Sequence, residues 1–339
     1  MEFLYMYMPI AGVKVFWPGL VLIGFSVGVI GGFFGMGGAW MVTPGLNILG
    51  FPMAFAIGTD MAHIAGKSMI STIRHSKFGN VDYKLGIVML VGTMVGIEIG
   101  AQIVMQLERL GIVGSVVRWV YVGFLALIAF MVFYDYAKAV SNKKKGIVGE
   151  HGTEGITWYK TLHKINIPPM MHFQRAGITC SAWLPILVSL MTGILAGFLG
   201  IGGGLLRMPA LVYLIGAPTH VSVGTDLFEV MISGLYGAFT YAMKGRIEIV
   251  AVFVMLTGAA IGAQIGTVAT KYSKGYGIRI AFGIAVLCCM ISIILKQYKY
   301  NAASATLILS TIGLICLYIC KIMIQGAIQE LREKKQRQS

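Results

Sequence analysis

Residues 32–60 read GFFGMGGAWMVTPGLNILGFPMAFAIGTD, and residues 197–226 read GFLGIGGGLLRMPALVYLIGAPTHVSVGTD. Gly32-Phe33-Phe34-Gly35-Met36-Gly37-Gly38 falls on Gly197-Phe198-Leu199-Gly200-Ile201-Gly202-Gly203 at an offset of 165, with Pro44 on Pro209 and Leu46 on Leu211. One extra residue follows. From Pro52 against Pro218 the offset is 166, which carries Gly58-Thr59-Asp60 onto Gly224-Thr225-Asp226 and Gly79 onto Gly245. The same offset carries Gly92, Gly96 and Gly100 onto Gly258, Gly262 and Gly266. A register held this far through identical Gly, Pro and Asp is more than composition produces, so the chain reads as two homologous halves.

The surrounding composition names the solvent. Of 339 residues, 57% are hydrophobic and 12% charged, against about a quarter charged in soluble proteins, and the mean hydropathy is +0.80. A cytosolic enzyme, a disordered chain and a small disulfide scaffold are all poor fits. A membrane-spanning helix needs about 20 apolar residues, and nine stretches come near that length: Phe16–Phe34, Met53–Ile73, Leu85–Leu107, Val116–Ala139, Ala182–Leu199, Val221–Met243, Ile247–Thr270, Ile278–Leu295 and Ala303–Ala327. The expected fold is an all-α polytopic membrane protein. Two repeats of about four helices, each with a glycine-broken first helix, occupy residues 10–139 and 180–295. A basic linker fills 140–178, an additional helix 303–327, and a basic tail 328–339.

Charge position matters more than charge sum. The formal net charge of +14 would suggest a nucleic-acid partner in a soluble domain, but here the cations collect between hydrophobic spans, as in Lys143-Lys144-Lys145, and in the tail at Arg332, Lys334, Lys335 and Arg337. That is how cytoplasmic loops read, so the partners implied are the lipid bilayer and not nucleic acid. Linker and tail both ask to be inside. Five full spans from Ala182 to Ala327 would put the tail outside, so one segment is re-entrant or the tail breaks the rule; the glycine-broken helices are the suspects. If both cross, each half has four spans and the repeats are parallel; if both re-enter, each has three and the repeats are inverted. The five cysteines (180, 288, 289, 316 and 320) show no CxxC spacing and read as packing residues. The N-terminal stretch lacks the basic region and cleavage site of a secretory signal, so the first helix is expected to be retained.

Two repeated motifs could carry chemistry. The first is the break itself, Gly35, Gly37 and Gly38 in one half and Gly200, Gly202, Gly203 and Gly204 in the other. Backbone freed from helical bonds inside a membrane is tolerable only where it is buried or lines a wet cavity. A helix restarting after the break presents its N–H groups and positive dipole end to an anion. The glycines spaced four apart, at 92, 96, 100 and 258, 262, 266, read instead as close-packing positions. The second motif is a polar stripe on the next helix: Asp60, His63, Lys67 and Arg74 at steps of three, four and seven share a face, and Asp226, Glu229, Ser233 and Tyr236 repeat it. Ionisable groups in a span cost roughly 2.5 to 3.5 kcal/mol each on insertion scales, so they face the interior and pair. Lys67 and His63 are expected to meet Glu229 or Asp226 across the halves, either as a structural ion pair or as a proton relay through Asp60, His63, Asp226 and Glu229. Arg207, whose counterpart is Val42, is a candidate for holding an anionic group.

The paired GFxGxGG…P…LG.P…A.GTD motifs, at Gly32–Asp60 and Gly197–Asp226, resemble the TauE/SafE family of membrane permeases, the sulfite exporter or toluene-sulfonate uptake permeases. The likeness extends through Lys67, His75 and Gly79-Asn80-Val81-Asp82, similar to the family's K…H…GNVD stretch, and covers roughly 200 residues. It implies a four-plus-four helix duplication that moves small sulfur oxyanions or organosulfonates across the prokaryotic inner membrane. The long linker, the ninth helix and Ala39 in place of a third glycine depart from the family pattern, and with Arg207 in one half only they imply unequal half-sites.

The function expected is therefore a secondary transporter for a small anion, sulfite or an organosulfonate, in the direction of export, with protons as candidate coupling ions. The substrate-binding set is Gly35, Gly37, Gly38, Thr59, Lys67, Gly200, Gly202, Gly203, Gly204, Arg207 and Thr225. No cofactor, structural metal or catalytic residue is expected, because HExxH, P-loop and CxxC motifs are missing from the sequence. The alternatives are a cation or metal permease using the acidic stripe and a membrane assembly factor docking through the linker.

Overall fold

The computed structural model describes residues 2–34, 39–144, 167–272 and 277–338. Gly35, Gly37 and Gly38 lie outside the described residues, as do residues 145–166 of the linker. The first half opens with a β-hairpin, β1 (Tyr5–Met8) and β2 (Val13–Phe16). It continues with α1 (Trp17–Phe34), a short 3-10 turn (Ala39–Met41), α2 (Val42–Ile48), α3 (Met53–Lys77), α4 (Tyr83–Arg109) and α5 (Val113–Lys144). The second half repeats that order: β3 (Met170–Phe173) and β4 (Ile178–Ser181), then α6 (Trp183–Leu199), α7 (Gly204–Ala210) running into a π-helical turn (Leu211–Ile215), α8 (Thr219–Met243), α9 (Ile249–Tyr272) and α10 (Gly277–Gln297). The last element is α11 (Asn301–Gln338). α4, α9, α11 and the Val113–Tyr134 part of α5 are each long and apolar enough to cross a membrane. The protein is an all-α polytopic membrane protein, and the two hairpins are its only sheets among the described residues.

The register of close contacts gives the direction of each helix. Along α4 and α6, Gly92 lies against Ile186, Gly96 against Leu190 and Gly100 against Ile194, so these two helices run parallel. Val21, Phe25 and Val29 of α1 meet Gly258, Gly262 and Gly266 of α9 in the same sense. α3 and α8 run opposite ways, because Ala65 meets Gly234 while Met61, earlier in α3, meets Gly237, later in α8. Since α3 to α4 and α8 to α9 are hairpin turns, each helix of the first half is antiparallel to its counterpart in the second.

The same contacts show where the chain turns back. Gly45 of α2 packs on Ile23, and Leu49 packs on Gly19, so α2 retraces α1 toward its starting face. The stretches Phe16–Phe34 and Ala182–Leu199, read from hydropathy as spans, are outgoing limbs of helical hairpins that double back, with Leu49 returning to Gly19 and Arg207 to Thr192. The physical reason lies in length and breakage: α6 is 17 residues long, about 25 Å at 1.5 Å per residue. It ends on Gly200, Gly202 and Gly203 at φ of +80°, +66° and +75°, conformations that reverse the chain and that only glycine adopts without cost.

Glycines also set the helix spacing. A Cβ at Gly96 would lie 2.5 Å from the Leu190 carbonyl oxygen, and one at Gly262 would lie 2.0 Å from that of Phe25, so backbones touch where a side chain would not fit. Each end of the bundle is closed by a hairpin tied to an acid. Glu248 accepts hydrogen bonds from the backbone N–H groups of Ile10 and Ala11 at 2.8 and 3.0 Å. Its counterpart Asp82 accepts from Arg175 and Ala176 at 3.0 and 3.1 Å while capping α4 through Leu85. The end of the expected linker is thus folded: Phe173, Ala176 and Cys180 are buried with Leu85, Met89 and Leu211. Burial also pushes the Cys180 thiol up to about 11, which suits a packing residue.

Candidate functional site

Two buried polar clusters flank the contact between α3 and α8. The first gathers on α3. The Asp60 carboxylate accepts hydrogen bonds from the Thr43 backbone N–H at 3.1 Å and from its hydroxyl at 2.8 Å. α2 begins at Val42, so Asp60 caps the restarted helix, where a negative group is favoured. His63 Nδ1 lies 3.8 Å from Asp60 Oδ1, too far for a hydrogen bond. Both ring nitrogens of His63, Oδ1 of Asp60 and Nζ of Lys67 are buried without hydrogen-bond partners. Such groups carry a desolvation cost that the attraction between Asp60 and Lys67 offsets only in part, and in native proteins each calls for an explanation.

The second cluster has more partners. The Arg207 guanidinium, fully buried, pairs with Glu229 through Nη1 and donates from the same nitrogen to Asp226 at 3.3 Å. Its Nε donates to the Thr192 hydroxyl at 3.3 Å, and Ser233 donates to Glu229 at 3.4 Å. Asp226 also faces the start of α7, where a Cβ on Gly204 would lie 2.7 Å from its Oδ2. Each restarted helix therefore already has a carboxylate at its N-terminal end, Asp60 for α2 and Asp226 for α7. That answers, with resident side chains, the anion expected at Gly202, Gly203 and Gly204.

Between the clusters Ile64 and Val230, counterparts at the 166 offset, form a small apolar contact of their own. Gly202 faces both: a Cβ there would lie 3.1 Å from Ile64 and 3.3 Å from Val230. The freed carbonyls at the end of α6 are also satisfied, since Tyr121 donates to Leu199 and Tyr241 to Gly197, both at 2.6 Å.

Several expectations change on this geometry. The ion pairs expected between Lys67 or His63 and the acids of α8 are not formed; Arg207, from the adjacent re-entrant limb, reaches Asp226 and Glu229 first. Arg207, expected to hold a substrate anion, is neutralised by two carboxylates. Thr59 and Thr225, expected to bind substrate, spend their hydroxyls on the fold: Thr59 accepts from the Glu248 N–H at 3.0 Å, and Thr225 from the Asp82 N–H at 2.9 Å. Gly200 ends α6 as its left-handed cap. Lys67 alone among the expected binding side chains keeps a buried charged group without a hydrogen-bond partner. Residue-by-residue reading missed Thr43, Tyr121 and the Asp82–Glu248 pair; the last was visible, because 82 and 248 differ by the repeat offset of 166.

Re-entrant limbs broken by glycine, antiparallel counterpart helices and ionisable groups buried at the breaks together define a polytopic membrane protein of the permease class. The chain belongs to the sulfite exporter TauE/SafE family, which it matches over residues 20–293. It is 25% identical to "Probable membrane transporter protein YunE" of Bacillus subtilis (strain 168), over 73% of this chain and 86% of that protein. A "Probable membrane transporter protein" of Xylella fastidiosa (strain 9a5c) is 25% identical over 82% and 93%. "Probable membrane transporter protein MJ0441" of Methanocaldococcus jannaschii is 28% identical over 68% and 75%. No solved structure matches the chain.

Proposed function

We propose that the protein is a secondary transporter that exports a small oxyanion, sulfite or a short organosulfonate, together with a proton across the inner membrane of a prokaryotic cell. Its two inverted repeats are residues 10–139 and 180–295. The observation that carries this reading is Asp60: its carboxylate occupies the N-terminal donors of α2, beside a buried Lys67 with no hydrogen-bond partner. A proton on Asp60 removes the negative charge, frees the Thr43 N–H and hydroxyl, and leaves Lys67 as the cation facing them. An oxyanion then takes the position that the carboxylate gave up. When the anion leaves, Asp60 ionises and resumes its hold on Thr43. Proton and anion therefore bind together, and acid favours binding.

Charge supports the export direction where the substrate is sulfite. A doubly charged oxyanion leaving with one proton carries one net negative charge, and an inside-negative potential drives it outward at about 2.3 kcal/mol per 100 mV. Orientation is supported by the helix directions. With both broken limbs re-entering, four crossings separate the linker from the tail, and both basic segments share the cytoplasmic side. Ile64 and Val230 form the barrier between the two clusters, which alternate in access as α3 and α8 move against one another.

The test is uptake of labelled sulfite, a short organosulfonate and sulfate into proteoliposomes of the full-length protein, with and without a pH gradient. Saturable sulfite flux that rises as pH falls, and that loses its pH dependence in Asp60→Asn, is the expected result. Flux of none of these anions by intact, monodisperse protein would overturn the reading, and flux of a divalent cation in the same vesicles would replace it with a cation permease.

A further inference from the structure

The repeat makes one surface feature legible. On the face where α8 begins, the ring of Phe228 lies against Tyr83 in a T-shaped contact, with centroids 5.1 Å apart and planes at 83°. Phe228 also covers Gly86, where a Cβ would come within 2.7 Å of its ring, and the Tyr83 hydroxyl is 2.6 Å from Ser76 Oγ. These side chains close the cleft between the end of α3, the start of α4 and the start of α8.

On the opposite face the counterparts at the 166 offset are Ala62 for Phe228, Ile249 for Tyr83, Val252 for Gly86 and Ala242 for Ser76. The aromatic plug is gone. In its place is an apolar groove of about 380 Å³, lined by Ala62, Ala238, Phe239, Ala242, Ile249 and Phe253 among others. That volume is within the roughly 300–1,000 Å³ of small-molecule sites. The groove opens outward: Phe239 and Phe253 on its walls are 63% and 66% exposed, and in a spanning bundle that surface meets hydrocarbon. At its mouth Gly245 stands between Lys244 and Arg246, which are ion-paired to Glu98 and Glu108 yet remain 25% and 34% exposed.

We propose that this groove is a phospholipid site, in which one acyl chain from the surrounding leaflet fills the space that Phe228 fills on the other face. The Phe228 side states what the cleft requires: an apolar, ring-sized filling against α3. The first half supplies only Ile10 and the Ala62 methyl, and no ring, and the groove's outward opening leaves the lipid chain as the material at hand. The phosphate sits at the mouth, beside the partly exposed Lys244 and Arg246, and shares them with the carboxylates of Glu98 and Glu108. The bound chain buttresses α3 at Ala62, on the side of the helix away from Asp60. The site is therefore one-sided, present on the face where α3 and α9 begin. It does not depend on what the protein transports.

The experiment is native mass spectrometry of the delipidated full-length protein in mild detergent, titrated with dioleoyl phosphatidylglycerol. Wild type is expected to hold one phospholipid tightly. Ala62→Phe, which transplants the plug, is expected to weaken that adduct at least tenfold, and Phe228→Ala to gain a second one. Ala238→Leu fills the same groove from α8 and serves if Ala62→Phe does not fold. Unchanged lipid affinity in both plugged variants would overturn the proposal. So would a wild-type dimer that the plugs dissolve without altering lipid binding, since the occupant would then be a second copy of the chain.

Discussion

The clusters on α3 and α8 occupy matching positions, yet they are chemically unlike. Asp60 and Asp226 are counterparts, and each faces the start of a restarted helix. From there the halves diverge: His63 stands where Glu229 does, Lys67 where Ser233 does, and Val42 where Arg207 does. In the second half a guanidinium draws two carboxylates into a charge-paired network that leaves Arg207 Nη2 and Glu229 Oε1 without hydrogen-bond partners. In the first, a carboxylate, an imidazole and an ammonium are buried together with most of their hydrogen-bonding atoms unmatched. A duplicated scaffold can thus divide its labour. The charge-paired network holds the re-entrant limb against α8, and the unmatched one retains groups with something left to bind.

If that division is right, the largest effect on stability belongs to the second cluster. Arg207→Ala leaves Asp226 and Glu229 buried without their cation, and breaking such a pair costs about 3–5 kcal/mol. The thermal unfolding midpoint in detergent should drop steeply, with little folded protein recovered; an unaltered midpoint would break the comparison. Next comes Asp60→Asn, expected to keep the fold, because the amide oxygen still accepts from Thr43, while sulfite flux becomes independent of pH. Lys67→Met separates function from structure most sharply. Removing a buried polar group that lacks a partner should raise stability by about 1–3 kcal/mol while anion flux falls at least tenfold; a loss of both would make Lys67 a structural residue. The smallest effect is expected for Thr225→Val, which removes one hydrogen bond worth about 1 kcal/mol, lowers the unfolding midpoint slightly and leaves flux unchanged.

How much of this was legible in the chain varies by level. Composition and the spacing of apolar runs suffice for the fold class, because hydrocarbon admits few alternatives to helices. The two polar stripes were legible from helical periodicity. Their partners were not, since Arg207 reaches Asp226 and Glu229 across 19 and 22 residues of sequence and only a reversing loop at Gly200–Gly203 brings it there. The partners of Thr59 and Thr225 were hidden for a related reason. The two threonines repeat beside Asp60 and Asp226, but the turns before α9 and α4 take up their hydroxyls, and those turns come from the opposite half.

Self-similarity at offsets of 165 and 166, hydropathy and charge placement were enough to establish a polytopic membrane protein and to raise the expectation of two homologous halves with both basic segments on one side. They left the relation between the halves open, because hydropathy reports which residues avoid water and is blind to direction: a broken limb that crosses and one that turns back have the same composition. Packing resolves it. Gly92, Gly96 and Gly100 meet α6 in parallel register, Met61 and Ala65 meet α8 in antiparallel register, and Leu49 returns to Gly19. Backbones at such close approach lock in one direction only, and that direction sets each helix of the first half antiparallel to its counterpart in the second.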